Sequence, residues 1–195
     1  MSRVLILGAT GSLARVAIDR FLSDTDAELT LFARHARQLK GVKSSRAHVL
    51  EGDVLDTGAL TRAMVGQDVV YANLAGDLER MATNIVKTMN ETGLRRLIFI
   101  SSMGIYDEVP GQKYRSILDP YRDAARVIEA SNLDYTIVRP AWFTDADEID
   151  YETTQKGEPF KGGIVSRKSL ADFIVKLALS PDLELRHSVG VNKPE

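Results

Sequence analysis

The chain has 195 residues, 44% of them apolar, with a formal charge of −2 and no cysteine. That length suits one domain with a sizeable core, the missing basic excess argues against nucleic-acid partners, and the missing cysteines exclude disulfides and thiolate metal sites. No apolar run is long enough to span a membrane, and "MSRVLILGA" lacks signal-peptide character, so a cytoplasmic protein is expected.

In chain order, the first apolar run is Val4–Leu7, followed by a helical pattern over Ser12–Ser23. Between them lies Gly8-x-x-Gly11-x-x-Ala14. Gly8 permits a tight turn, Gly11 lets a phosphate approach the backbone, and Ala14 brings the helix close to the sheet. The N–H groups of Thr10, Gly11, Ser12 and Leu13 would then meet a pyrophosphate at a helix N-terminus. An ordinary glycine turn is the alternative. The second strand, Leu29–Ala33, runs into "RHAR". A dinucleotide fold that takes NAD often has an acidic residue there; here Arg34 and Arg37 suit a 2′-phosphate, which favours NADP(H). A solvated basic loop would read the same way.

A third strand over Ala47–Glu51 precedes "GDV", where Asp53 could accept from an adenine amino group and Val54 line the ring. Asp53 could equally shape a turn. A helix over Thr57–Val65 leads to a strand at Val69–Ala72 and to "NLAG", whose Leu74, Ala75 and Gly76 would lie against the cofactor or form a tight turn. Helices at Leu78–Thr92, Pro120–Ser131 and Lys168–Leu179 alternate with strands at Leu97–Ser101, Tyr135–Arg139 and Ser188–Val191. The inner strands are apolar throughout, as strands covered on both faces are, and the alternation predicts a doubly wound α/β sheet. Two long loops remain, Gly104–Asp119 and Thr144–Gly163, and loops of this length are often binding loops. The second contains "TDADEIDYET", an acidic stretch expected to be solvated and to favour cationic or neutral substrates. His35, His48 and His187 are scattered, so no metal site is expected.

Taken together, "GATGSLA", "FAR", "GDV", "NLAG", "IFISSMGIY" and "SNLDYTIVRPAW" resemble the atypical short-chain dehydrogenases/reductases, in particular the NmrA-like, NAD(P)H-binding branch that includes small flavin and biliverdin-type reductases. The resemblance runs from Val4 to about Val191. It implies a single Rossmann domain over 1–195, strand order 3-2-1-4-5-6-7, and a site at the carboxyl ends of the strands with substrate loops at about 104–119 and 144–163. It implies an active-site serine at Ser102, with Ser101 beside the cofactor. "RPAWF" would bring Pro140, Ala141 and Trp142 to the nicotinamide. The family's Tyr-x-x-x-Lys pair is missing: Ile117 stands at the tyrosine position and Tyr121 at the lysine position. Tyr106 and Tyr121 remain as local hydroxyls.

The expectation is therefore an NADP(H)-dependent oxidoreductase that passes hydride to a small planar acceptor such as a flavin or quinone. Without a dedicated proton donor, alcohol dehydrogenation, epimerisation and dehydration are disfavoured, while reduction of an easily reduced ring is not. A non-catalytic NADP(H)-binding redox sensor is the alternative. A nucleotide-sugar epimerase or dehydratase is a second, disfavoured by the short chain. The expected partner is a small-molecule substrate, and the chain is expected to be a monomer or homodimer.

Overall fold

The computed structural model describes residues 1–194. Its strands and helices follow in the order β1 (Arg3–Leu7), α1 (Ser12–Asp24), β2 (Glu28–Ala33), β3 (Ala47–Glu51), α2 (Thr57–Met64), β4 (Val69–Ala72), α3 (Leu78–Thr92), β5 (Arg96–Ile100), α4 (Asp119–Glu129), β6 (Asp134–Pro140), β7 (Trp142–Thr144), β8 (Glu152–Gln155), β9 (Ile164–Ser166), α5 (Arg167–Leu179) and β10 (His187–Asn192). The main sheet has the order β3-β2-β1-β4-β5-β6-β10-β8. Counting β10 as the seventh strand, this is the expected 3-2-1-4-5-6-7 arrangement with one strand added.

The two-residue period of a strand sends alternate side chains to opposite faces. In β1, Val4 and Ile6 join one core, with α1 and α5, while Leu5 and Leu7 join the other, with α2, α3 and α4. Burial of β1, β4, β5 and β6 on both faces explains their mostly apolar character.

Helix starts differ in a way that matters for the site. Asp56 caps α2 by accepting from the Ala59 N–H at 3.0 Å, and Ser166 caps α5 by accepting from the Ser169 N–H at 2.9 Å. At α1 the capping residue is Gly11, no side chain caps the helix, and no carboxylate occupies its first turn.

The Thr144–Gly163 stretch departs from expectation. It is not wholly a loop, because β8 pairs antiparallel with β10 through Gly190↔Thr154 and Val191↔Thr153. The sequence "ETTQ" hides this strand, since only Thr154 is buried. Just outside that stretch, β7 and β9 pair as a separate two-stranded ribbon, Trp142↔Ile164 and Phe143↔Val165. Short edge strands with polar faces carry little of the apolar alternation that reveals inner ones.

Candidate functional site

The glycine loop joins the end of β1 to α1. Gly8 has φ +80°, and a Cβ there would stand 2.1 Å from the Asn73 carbonyl oxygen, so only glycine fits. Its N–H donates to the Phe32 carbonyl at 3.0 Å, which fixes the turn to β2. Gly11 is crowded for another reason: an added Cβ would meet the Asn73 side-chain amide at 2.4 Å. The expectation that this volume lies open to a ligand is corrected, because the Asn73 amide fills it. No side chain caps α1 at Gly11, so the first N–H groups of the helix have no side-chain partner and carry the positive end of the helix dipole.

Two arginines secure the loop. Arg15 Nε donates to the Thr10 carbonyl at 3.1 Å and Nη2 donates to the Gln38 carbonyl at 3.0 Å, tying the loop to the turn after β2. Arg167 Nε donates to Ser12 Oγ at 3.2 Å from the start of α5. No sequence signal linked Arg167 to Ser12, because they are 155 residues apart. Leu13 is buried beneath the loop.

Arg34 and Arg37 are exposed at the end of β2, and neither forms an ion pair among the described residues. The nearby carboxylate, Glu51, is occupied by the Ala36 N–H at 3.1 Å. Asp53 Oδ1 accepts from the Leu55 N–H at 2.9 Å, an Asx turn. Val54 belongs to the core under α2 and α3 rather than to an open wall, which corrects its reading as a ring-lining residue. Leu74 is half-buried against Gly8, while Ala75 and Gly76 are exposed, with Gly76 at φ +105°.

A cleft of about 340 Å³ opens beyond the ends of β5 and β6. Ser101, Ser102, Pro140, Ala141, Trp142 and Tyr121 all line it, as do Ile117 and Phe143. The Ser101 N–H donates to the Val138 carbonyl at 2.8 Å, and the Met103 N–H donates to the Pro140 carbonyl at 3.2 Å, so the two strand ends share one wall. Ser102 Oγ donates to the Met103 carbonyl at 3.1 Å. Ser101 Oγ is buried with no partner among the described residues. Trp142 is 65% exposed and Ile117 is 68% exposed, so the cleft has apolar walls that the protein itself leaves uncovered.

Tyr106 is not part of this cleft. Its hydroxyl lies within 2.7 Å of Glu129 Oε1 and 3.2 Å of Ser188 Oγ, on the far side of the loop. Burial and the Glu129 carboxylate push its pKa well above the ordinary tyrosine value, which makes it a poor proton donor. The reason for its direction is Glu108, which sequence reading missed. Glu108 Oε1 accepts from the Gly104 N–H at 3.0 Å and Oε2 from the Tyr106 N–H at 2.9 Å, and the same carboxylate pairs with the fully buried Arg139. Arg139 also donates to Ser188 Oγ at 3.1 Å and to the Ser188 carbonyl at 3.2 Å. A charge inside an otherwise apolar strand, "YTIVRP", was the available signal that a buried partner must exist.

The acidic stretch is solvated as expected, the Asp145 and Asp147 side chains being 89% and 86% exposed, but it is also paired. Asp145 pairs with Arg167, Asp147 with Lys168 and Glu148 with Lys193, and none of these carboxylates lines the cleft. Its expected preference for cationic or neutral substrates is therefore corrected. Among the described residues, no cluster of three or more potential ligands could hold a metal ion. No described helix is long and apolar enough to cross a membrane.

A dinucleotide fits these groups. The uncapped α1 start suits a pyrophosphate, two unpaired guanidinium groups suit a phosphorylated ribose, and the orphaned Ser101 hydroxyl needs a partner that a cofactor amide can provide. Residues 8–181 match the NAD(P)H-binding family. A Rossmann-fold NAD(P)-binding family protein from Shigella flexneri superimposes with a TM-score of 0.89 at 44% identity, over 100% of this chain and 94% of that one. A short-chain dehydrogenase/reductase from Veillonella parvula, solved in complex with NADP, gives 0.91 at 29% identity, over 99% and 95% of the two chains. The phenylcoumaran benzylic ether reductase PT1 of Pinus taeda is 28% identical across 70% of this chain, which spans 48% of that protein's length.

Proposed function

The chain belongs to the NAD(P)H-binding family, and we propose that it is an NADP(H)-dependent oxidoreductase that delivers hydride to a small planar acceptor such as a flavin or quinone. The observation that carries this reading is the cleft itself: two serines and uncovered apolar walls lie at the strand ends, and the sequence has no Tyr-x-x-x-Lys motif to accompany them. The NADP complex of the Veillonella relative supports the choice of cofactor.

In this reading Arg34 and Arg37 hold the 2′-phosphate, and the Gly8–Leu13 turn holds the pyrophosphate. Asp53 and the Leu74–Gly76 backbone lie along the adenosine side, and Ser101, Pro140 and Ala141 along the nicotinamide. When bound, the cofactor supplies a hydride. Ser102 then orients the acceptor by hydrogen bonding, Trp142 offers a ring face, and Tyr121 contributes a polar edge. No positioned acid is required, because a reduced flavin or quinone takes its proton from water. Cytoplasmic location and a small-molecule partner follow from the same reading.

A second reading, a redox sensor that binds NADP(H) without turnover, draws on the exposed Ile117 where the family's acid would stand. NADPH oxidation with a panel of flavins and quinones at micromolar protein separates the two. Turnover supports the reductase. Micromolar NADPH binding with no turnover on any acceptor supports the sensor.

A further inference from the structure

The cleft's charges come from Asp107, Lys113 and Arg115. Lys113 and Arg115 are exposed, and among the described residues the side chains of both lack any ion pair or hydrogen bond. Other cations near the cleft are already engaged. Arg122 lies 3.0 Å from Asp119 and 3.3 Å from Asp123, and Arg167 lies 2.6 Å from Asp145. Tyr114, between the two free cations, is fixed: its hydroxyl donates to Asp119 Oδ1 at 2.7 Å, and the Arg122 guanidinium sits 4.9 Å from its ring centre. The segment carrying Lys113 and Arg115 is thus anchored at its middle residue, while two positive charges face a cleft that holds one carboxylate. Trp142 and Phe143 also line the cleft and give it aromatic surface.

Resting on the reading of this cleft as the acceptor site, we infer that the acceptor is a planar ring bearing an anionic substituent, a carboxylate or a phosphate, which Lys113 and Arg115 bind while the ring lies against Trp142. Two flexible cations suit a monovalent or divalent oxyanion without fixing its geometry. The ring fills apolar surface that the protein leaves bare, and the charge fixes which end of the ring faces outward.

The test uses NADP⁺-loaded protein, so that no hydride is transferred, and equilibrium binding of matched pairs. FMN against riboflavin reports a phosphate. A naphthoquinone carboxylate against the neutral methyl naphthoquinone reports a carboxylate. The anionic member of at least one pair is expected to bind about tenfold more tightly, an advantage that shrinks with added salt. In the Lys113→Ala/Arg115→Ala double variant the two members should bind within about twofold of each other, with NADPH affinity unchanged. Equal binding of both members in both pairs overturns the inference. So does a preference that survives in the double variant, or a loss of NADPH affinity in its place. If the preference is present but no acceptor is ever reduced, the reductase reading fails and the assignment of the anion site stands.

Discussion

The two halves of the proposed site, one for the cofactor and one for the substrate, are built by different means. The cofactor half is nearly local: Gly8 to Ser12 supply the turn and the open helix start, and Arg34 and Arg37 follow one βα unit later. The substrate half is assembled from β5, the 104–118 loop, α4 and the start of β7, and is held by one buried ion pair between Glu108 and Arg139. A local motif needs only backbone geometry that glycine permits. A nonlocal cleft needs long-range electrostatic and packing contacts between residues far apart in the chain.

The largest effect should come from breaking the scaffold of the substrate half. Glu108→Ala leaves Arg139 buried without its counter-charge, and a loss of about 3–5 kcal/mol in unfolding free energy is expected by chemical denaturation. A loss below about 1 kcal/mol would show that the pair does not hold the loop.

The cofactor half should respond in binding. Gly11→Val pushes on the Asn73 amide and the adjoining turn, and NADPH affinity is expected to fall about hundredfold or more while the chain still melts cooperatively. Gly11→Ala combined with Asn73→Ala should recover part of that loss, because the colliding amide is gone. Normal NADPH binding by Gly11→Val would make the glycine pattern a structural turn only.

Arg34→Ala should weaken NADPH by about tenfold and leave NADH little changed, measured by calorimetric titration. Equal losses for both cofactors would place the 2′-phosphate elsewhere.

The smallest effects belong to the polar groups lining the cleft. With the best acceptor, Ser102→Ala should slow turnover by about tenfold and Tyr121→Phe by only a few-fold, well short of the hundredfold expected of a dedicated general acid. A collapse in Tyr121→Phe with Ser102→Ala unaffected would reverse the assignment of roles.

The inner strands and glycine turns were legible in the sequence because they leave local marks, an apolar run, a breaker and a restart, and the sheet order followed from the family resemblance that those motifs carry. The same locality made Gly8 and Gly11 visible, although the reason for Gly11, the Asn73 amide, was not. Tyr106 was misjudged because its spacing from Ser102 says nothing of direction; Glu108 turns that loop and sends the hydroxyl toward Glu129 and Ser188. The acidic stretch is solvated as read, but its pairing was invisible because its partners Arg167, Lys168 and Lys193 lie about 20 to 45 residues away. By itself, then, the sequence determined the inner strands, the helices and the glycine turn, which depend on local backbone preference and periodicity, while the sheet order came only with the family resemblance. Only the tertiary structure decided which charges are spent on each other and which are left facing the cleft, because pairing is a property of distance in space.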